Sequence, residues 1–306
     1  MNGISILKTG SYIPNKRVTN DDMAKIVETN DEWIVTRTGI HARHFSENQD
    51  TTELAYLASL DALEGIEKEK IGLIIVATMS ATYATPSTAC LLQNRLGLPH
   101  DVLALDLSAA CSGFVYALGV ARSMLQDTKK PYALIVGAEK LSSLLDFTDR
   151  STCILFGDGA GAVVVEKKEA MYYDYQGCDG NEEALFASRE EGKMRMQGRD
   201  VFKFATRVLP ECMQALEKES KIALDEVDYF IVHQANERII AHVYKKMKIS
   251  QEKFYMNLSE YGNTSAASIP LVIDEMNKKG LLKRGMKIMT IGFGGGLTYG
   301  ANLFTW

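Results

Sequence analysis

With 306 residues, 46% of them hydrophobic and 24% charged, the chain has the make-up of a globular protein with material for one large core or two fused halves. The formal net charge of −5 argues against general nucleic-acid binding, which needs a basic field, while leaving room for a local basic patch facing one acidic partner. Five cysteines (90, 111, 153, 178 and 212) show neither the pairing of a disulfide framework nor zinc-ligand spacing, which predicts a reducing, cytoplasmic setting and no bound metal.

The opening MNGISILKTGSYIPNKRV lacks the charged start, long apolar segment and cleavage site of a secretory signal. No run approaches the ~18 apolar residues of a membrane-spanning helix, which predicts a soluble protein without a membrane partner. Further along, short β-rich apolar runs alternate with longer helical stretches. The runs are IGLIIVAT (71–78), VLALDLS (102–108), YALIVGAE (132–139), GAVVVEK (161–167), YFIVH (229–233), FYMNLS (254–259) and KIMTIGF (287–293). Continuous apolar strands separated by helices predict an α/β fold with its sheet buried on both faces. The strand–helix order also repeats. LIIVATMS, LDLSAACSG and ILFGDGAGAVVV in the first part answer to YFIVHQAN, MNLSEYGNTS and TIGFGGGLTYGANL in the second. This predicts two pseudo-equivalent halves, 1–168 and 169–306, with the seam near Lys168.

Three residues carry the chemistry, each where an apolar run gives way to small residues: Cys111 in ALDLSAACSGF, His233 in FIVHQAN and Asn263 in EYGNTSAAS. A thiol, an imidazole and a carboxamide can together hold an acyl group covalently and stabilise an oxyanion. Cys111 opens the segment SGFVYALGVARSMLQ, apolar on nearly every face, which predicts a buried helix whose dipole lowers the thiol pKa toward thiolate. Taken alone, Cys111 would be a small core residue, His233 a satisfied strand-end histidine and Asn263 a helix cap. The small neighbours Ala109, Ala110, Ser112 and Gly113, and the matching places of the three in a duplicated fold, favour the chemical reading. The other four cysteines are expected to be structural.

Two glycine clusters need care. Gly157–Ala162 formally fits the G-x-G-x-x-A dinucleotide pattern, but that motif needs a helix after it, and the strand-like AVVVEK follows. This cluster and Gly292–Gly296 both read as tight hairpins, and the second can bring backbone N–H groups close to a substrate carbonyl. The order Cys, His, Asn also occurs in papain-like cysteine hydrolases. The ACSG surround deep in the first half and the duplicated plan weigh against that class.

In DEWIVTRTGI (31–40), LDLSAACSGF (105–114), FGDGAGA (156–162), VHQAN (232–236), YGNTSAAS (261–268) and GFGGGLTYG (292–300) the sequence resembles the β-ketoacyl-acyl-carrier-protein synthase III family of thiolase-like condensing enzymes, essentially end to end. The resemblance implies a five-layered αβαβα thiolase-like fold and a homodimer. It also implies an acyltransferase that condenses an acyl-CoA primer with malonyl-acyl-carrier protein to start type II fatty-acid synthesis. A related starter-unit ketosynthase of secondary metabolism is the alternative. No cofactor is implied beyond the coenzyme A thioester as substrate.

The resemblance also assigns residues. Cys111 would carry the acyl group, His233 and Asn263 would bond the malonyl thioester oxygen, and the amides of Cys111 and Gly295 would form the oxyanion hole. Trp33 would stack on the adenine, with Arg150 on the other face. Arg37 would reach a phosphate, Asn236 the pantetheine, and Thr29 and Phe202 complete the coenzyme site. Thr85, Leu141, Phe156 and Met196 would shape the acyl pocket, Thr85 standing where many acetyl-using members have phenylalanine, on a loop reaching into the partner's site. Lys203, Arg238, Lys245 and Lys246 would face the acidic carrier protein. Ser151, where glycine is familiar after Arg150, departs from the family pattern.

Overall fold

Most of the apolar runs become strands buried on both faces, which a layer between helices provides. A computed structural model describes residues 2–188 and 190–306. The first sheet contains β1 (Asn2–Tyr12), β2 (Ile71–Ala77), β3 (Leu103–Leu107), β4 (Tyr132–Glu139) and β5 (Gly159–Glu169), in the order β1-β5-β4-β2-β3. The second contains β6 (Tyr172–Asn181), β7 (Tyr229–Val232), β8 (Lys287–Gly294) and β9 (Gly296–Thr305), in the order β6-β9-β8-β7.

Strand for strand the two sheets agree. In each, the first strand pairs antiparallel with the last, the last pairs antiparallel with its neighbour, and a parallel pair follows. Because β5 ends at Glu169 and β6 begins at Tyr172, we propose that the halves 1–168 and 169–306 join in this turn.

The helices are α1 (Asp31–Thr38), α2 (Thr51–Ala62), α3 (Thr88–Arg95), α4 (Gly113–Leu125), α5 (Gly198–Ser220), α6 (Glu237–Met247) and α7 (Ser268–Lys278). α2 and α3 cover the outer face of the first sheet, α4 and α7 lie between the sheets, and α5 covers the second sheet with α6 against it. The result is five layers, with the buried centre formed by α4 and α7. α4 is apolar nearly all round because it touches both sheets. Its seat is close: a Cβ at Gly113 would meet Ala77 Cβ at 3.0 Å and Ala266 Cβ at 3.5 Å.

Two expectations fail. Residues 254–259 form no strand. The counterpart of β3 is replaced by side-chain bonds from Gln234, whose Nε2 donates to Val232 O and Tyr255 O while its Oε1 accepts from Asn257 N–H. One carboxamide thus takes over the edge that a ladder would occupy. The Gly157–Ala162 cluster is also no tight hairpin. Its glycines begin β5, and the connection from Glu139 back to Gly159 runs through a 3-10 turn and the short helix Arg150–Cys153. The second cluster is a hairpin, turning at Gly295 between β8 and β9.

Candidate active site

Cys111 lies in the turn Ala110–Ser112 between β3 and α4. The equivalent turn of the second half, Ser265–Ala267, leads into α7. Ala110 and Ser265 hold matching left-handed conformations (φ 45° and 49°), costly for residues with a Cβ and kept only where the surroundings fix them. The hairpin closes over the first turn: a Cβ at Gly294 would stand 2.6 Å from Cys111 N and 2.9 Å from its Cβ. Only glycine fits there.

The Cys111 thiol is 4% exposed, and desolvation pushes it up to about 12. This corrects the expectation of a thiolate. The helix start favours the anion, but removal from water disfavours it more. The resting group is a thiol, so as a nucleophile it would have to lose its proton on attack. Of the other cysteines, Cys153 and Cys212 are buried as structural residues should be, whereas Cys90 and Cys178 are exposed.

His233 follows β7, its N–H donating to Ile291 O (2.8 Å) and its ring lying edge-on to Phe293. Nδ1 is 2.7 Å from Ser268 Oγ at the start of α7. That hydroxyl also accepts from Gln234 N–H at 3.4 Å. If the hydroxyl gives its own proton to Nδ1, the imidazole proton stands on Nε2, the assignment adopted below. Burial lowers the His233 pKa to about 3, so the ring is a neutral donor.

Asn263 is stitched across the halves. Its N–H donates to Leu155 O (2.9 Å), and its carbonyl accepts from Gly157 N–H (3.0 Å). Its Oδ1 accepts from Ser265 N–H at 2.9 Å. The cap-like bond therefore does exist, and it turns the amide Nδ2 toward the cavity as the free donor.

Cys111, His233 and Asn263 line one cavity of about 600 Å³. Phe156, Met196 and Phe293 complete its buried part, and Trp33, Arg37, Phe202, Lys203, Asn236 and Arg238 line its outer part. Among the described residues neither Cys111 N–H nor Gly295 N–H has a backbone acceptor, as a pair of oxyanion donors requires.

Other expected residues are placed differently. Leu141 is fully buried in the core and does not line the cavity, because the turn Leu141–Leu144 directs it inward. Thr85 is exposed on the loop before α3 and outside the cavity of this chain. Asn236 lines the cavity, but its carboxamide caps α6 through Arg238 N–H and donates to Arg37 O. The Arg150 guanidinium stacks directly on Trp33, 5.0 Å from the ring centroid, and bonds Glu28 O. A purine entering between them would displace it. Thr29 is also outside the cavity, with a buried Oγ1 that has no partner among the described residues. Lys245 and Lys246 are exposed on α6, away from the cavity wall.

Several residues of the site were not singled out from the sequence: Ser268 behind His233, Gly294 over Cys111, Phe293, and Arg199 at the mouth beside Lys203. Glu139, wholly buried at the end of β4 and outside the cavity lining, was not singled out either. A charged residue ending the apolar run YALIVGAE was a visible signal. No cluster of three or more His, Cys, Asp or Glu suited to a metal occurs among the described residues.

Comparisons with known proteins agree with this geometry. Residues 105–178 match the family model for 3-oxoacyl-[acyl-carrier-protein] synthase III, and residues 217–306 match the model for its C-terminal part. The chain is 46% identical to β-ketoacyl-[acyl-carrier-protein] synthase III of Clostridium acetobutylicum over 100% of this chain and 99% of that one. Among solved structures, 3-oxoacyl-[acyl-carrier-protein] synthase III of Aquifex aeolicus is 44% identical with a TM-score of 0.96, covering 99% of this chain and 100% of that one. The priming β-ketosynthase of the R1128 polyketide pathway is 31% identical with a TM-score of 0.93, covering 99% and 96%. The five layers are those of the thiolase-like fold, and the chain belongs to the β-ketoacyl-acyl-carrier-protein synthase III family.

Proposed function

We propose that the chain condenses an acyl-CoA primer with malonyl-acyl-carrier protein, with loss of CO₂, through an acyl-Cys111 intermediate, and so starts type II fatty-acid synthesis. The observation that carries this reading is the convergence of a buried thiol and two neutral hydrogen-bond donors, His233 Nε2–H and Asn263 Nδ2–H, in one cavity.

In the first half-reaction Cys111 Sγ attacks the thioester carbonyl. Cys111 N–H and Gly295 N–H stabilise the oxyanion, coenzyme A departs, and the acyl chain extends toward Phe156 and Met196. In the second, malonyl thioester loses CO₂, and the charge arising on its carbonyl oxygen is met by His233 and Asn263. The enolate carbon then attacks the acyl carbonyl, the acyl C–Sγ bond breaks, and Cys111 leaves as a thiolate that takes up a proton. A neutral His233 suits this step, since it can donate without giving up a proton to the enolate. The covalent intermediate predicts ping-pong kinetics. The chain's own side chains and main-chain amides supply the groups these steps use, and we assign no cofactor.

Trp33, Arg37 and Arg150 are assigned to the nucleotide end of the coenzyme, with Thr29, Phe202 and Asn236 along its path. Lys203, Arg238, Lys245 and Lys246 are assigned to the acidic carrier protein. Arg199 extends that basic mouth. A homodimer is supported by β3, an edge strand whose Leu103 is 48% exposed, beside a loop carrying Tyr83 at 53%. Thr85 would act only across that interface. We place the protein in the cytoplasm, in keeping with its free cysteines, and no helix among the described residues is long and apolar enough to cross a membrane.

The R1128 relative favours a second reading, a starter-unit ketosynthase of secondary metabolism. Condensation assayed with acetyl-, isobutyryl- and octanoyl-CoA against malonyl-carrier protein separates the two. Product with malonyl-carrier protein supports fatty-acid initiation. Transfer only to an amine or alcohol would overturn it.

A further inference from the structure

Arg43, on the strand Ala42–Phe45, is wholly buried, and every bond it makes among the described residues goes to a neutral oxygen. Nη1 donates to Asn20 Oδ1 (2.8 Å) and Val18 O (3.3 Å), and Nη2 donates to Ile154 O. Burial lowers the Arg43 pKa to about 10, which leaves the guanidinium charged at neutral pH. A buried cation with only neutral partners is costly, and an apolar side chain is the commoner way to fill such a place. Stability alone therefore does not account for this arginine.

Its strand is wedged between two segments that meet at Asn263. On one side His41 N–H donates to Ser259 O (2.8 Å), and on the other Asp158 N–H donates to His44 O (2.8 Å). A Cβ at Gly262 would stand 3.1 Å from Arg43 Cβ, and one at Gly157 would stand 3.2 Å from it. The Arg43 stem thus touches both segments at once, beside the parallel bridge between Phe156 and Asn263. That bridge seats Asn263, whose N–H bonds Leu155 O and whose carbonyl accepts from Gly157 N–H. The fork of Arg43 holds the same run one residue earlier, at Ile154 O. Asn20, its other anchor, is fixed in turn by Nδ2 bonds to Asp31 Oδ1 and Ile40 O, both 2.8 Å.

We propose that Arg43 positions Asn263 for the malonyl step: its guanidinium pins residues 154–157, and these seat the main chain of Asn263 so that Nδ2–H faces the cavity. This rests on the reading of Asn263 as a donor to the malonyl thioester. Arg43 is a positioning residue, since it lies outside the cavity lining. None of its bonds goes to the Cys111 turn or to the hairpin over it, so it serves the second half-reaction rather than the first. A lysine keeps the charge but loses the planar fork that spans Ile154 O and Asn20 Oδ1.

The test compares Arg43→Lys with the unaltered full-length protein in both half-reactions. It reads CO₂ release from malonyl-carrier protein, and Cys111 acylation by intact mass. Arg43→Lys should lower kcat for decarboxylation ~10- to 10²-fold, the effect of a misplaced group. KM for malonyl-carrier protein should stay nearly unchanged, and acylation should be largely spared. In an Asn263→Ala background the same change should add no further loss, because Arg43 acts only through that residue. Hydrogen exchange at Gly157 N–H and Asn263 N–H should quicken about tenfold, while exchange in β2 and β4 stays as it was. Equal losses in both half-reactions, losses that multiply in the double variant, or unchanged exchange would overturn the proposal. Should Arg43→Lys not fold, Asn20→Ala, which removes one anchor of the fork, decides alone by the same readouts. If Asn263→Ala leaves decarboxylation at its ordinary rate, the functional reading fails, while the exchange rates still judge the positioning.

Discussion

Ser268 Oγ sits 2.7 Å from His233 Nδ1, at the first residue of the central helix α7. The second half of the fold thereby fixes which nitrogen of the imidazole faces the substrate. Ser268→Ala frees the ring to place its proton on either nitrogen. Malonyl decarboxylation should fall about 10- to 100-fold, the cost of a buried polar group left unpaired, while acylation of Cys111 is largely spared. Release of CO₂ from malonyl-carrier protein, read beside intact mass, checks this. An equal loss in both half-reactions would contradict it.

His233→Ala and Asn263→Ala should each reduce decarboxylation by ~10²–10³, the usual worth of one oxyanion donor, with acylation persisting. Asn263→Asp is more discriminating. It keeps an acceptor for Ser265 N–H but replaces the free donor with negative charge. Decarboxylation should drop at least as far as in the alanine variant. If Asn263→Asp retains it, the donor role is wrong.

Gly294→Ala tests the contact between the hairpin and the nucleophile. The added methyl would stand 2.6 Å from Cys111 N and 2.9 Å from Cys111 Cβ, neither of which can rotate away. Overpacking of this kind costs about 1–3 kcal/mol. We expect slower acylation together with a lowered urea midpoint. Ordinary acylation would show that the hairpin yields.

Two buried groups predict opposite slopes of stability with pH. Folding holds His233 down at about 3, against roughly 6.5 unfolded. Between these values the unfolded chain binds the extra proton, and stability is lost as pH falls from about 6.5 toward 3, by at most about 5 kcal/mol. Glu139 is raised to about 7, against roughly 4.3 unfolded. There the folded chain holds the extra proton, and stability is lost as pH rises from about 4.3 to 7. Urea midpoints at pH 4.5 and 7.5 should show a smaller acid loss for His233→Gln than for the unaltered protein, and a gain for Glu139→Gln at the higher pH. Parallel curves for all three would refute the burial argument.

Much of this was legible beforehand, for a physical reason. Strands buried on both faces write themselves as unbroken apolar runs, and six of the seven predicted runs are strands. The seventh, 254–259, failed because the edge it should have filled is taken by one Gln234 side chain, which no local pattern records. Hairpin length at Gly157–Ala162 was misread because glycines mark close packing as well as turns. There, a Cβ at Gly161 would meet the backbone of α7 at 2.7 Å. Cys111, His233 and Asn263, proposed here as the catalytic residues, were singled out from their small-residue surroundings, and they line one cavity. Ser268 and Glu139 were not, since their partners lie far along the chain and only the tertiary fold brings them together. The thiolate expectation failed for the same reason: the helix start is visible in sequence, and the depth of burial is not.

The central claim is that Cys111 carries the acyl group. Intact-mass spectrometry of the protein during turnover with a panel of acyl-CoA primers should show one added acyl group, absent in Cys111→Ala and discharged on adding malonyl-carrier protein. A protein that condenses primer and malonyl unit with no adduct on Cys111, or whose adduct survives the second substrate, would contradict the account.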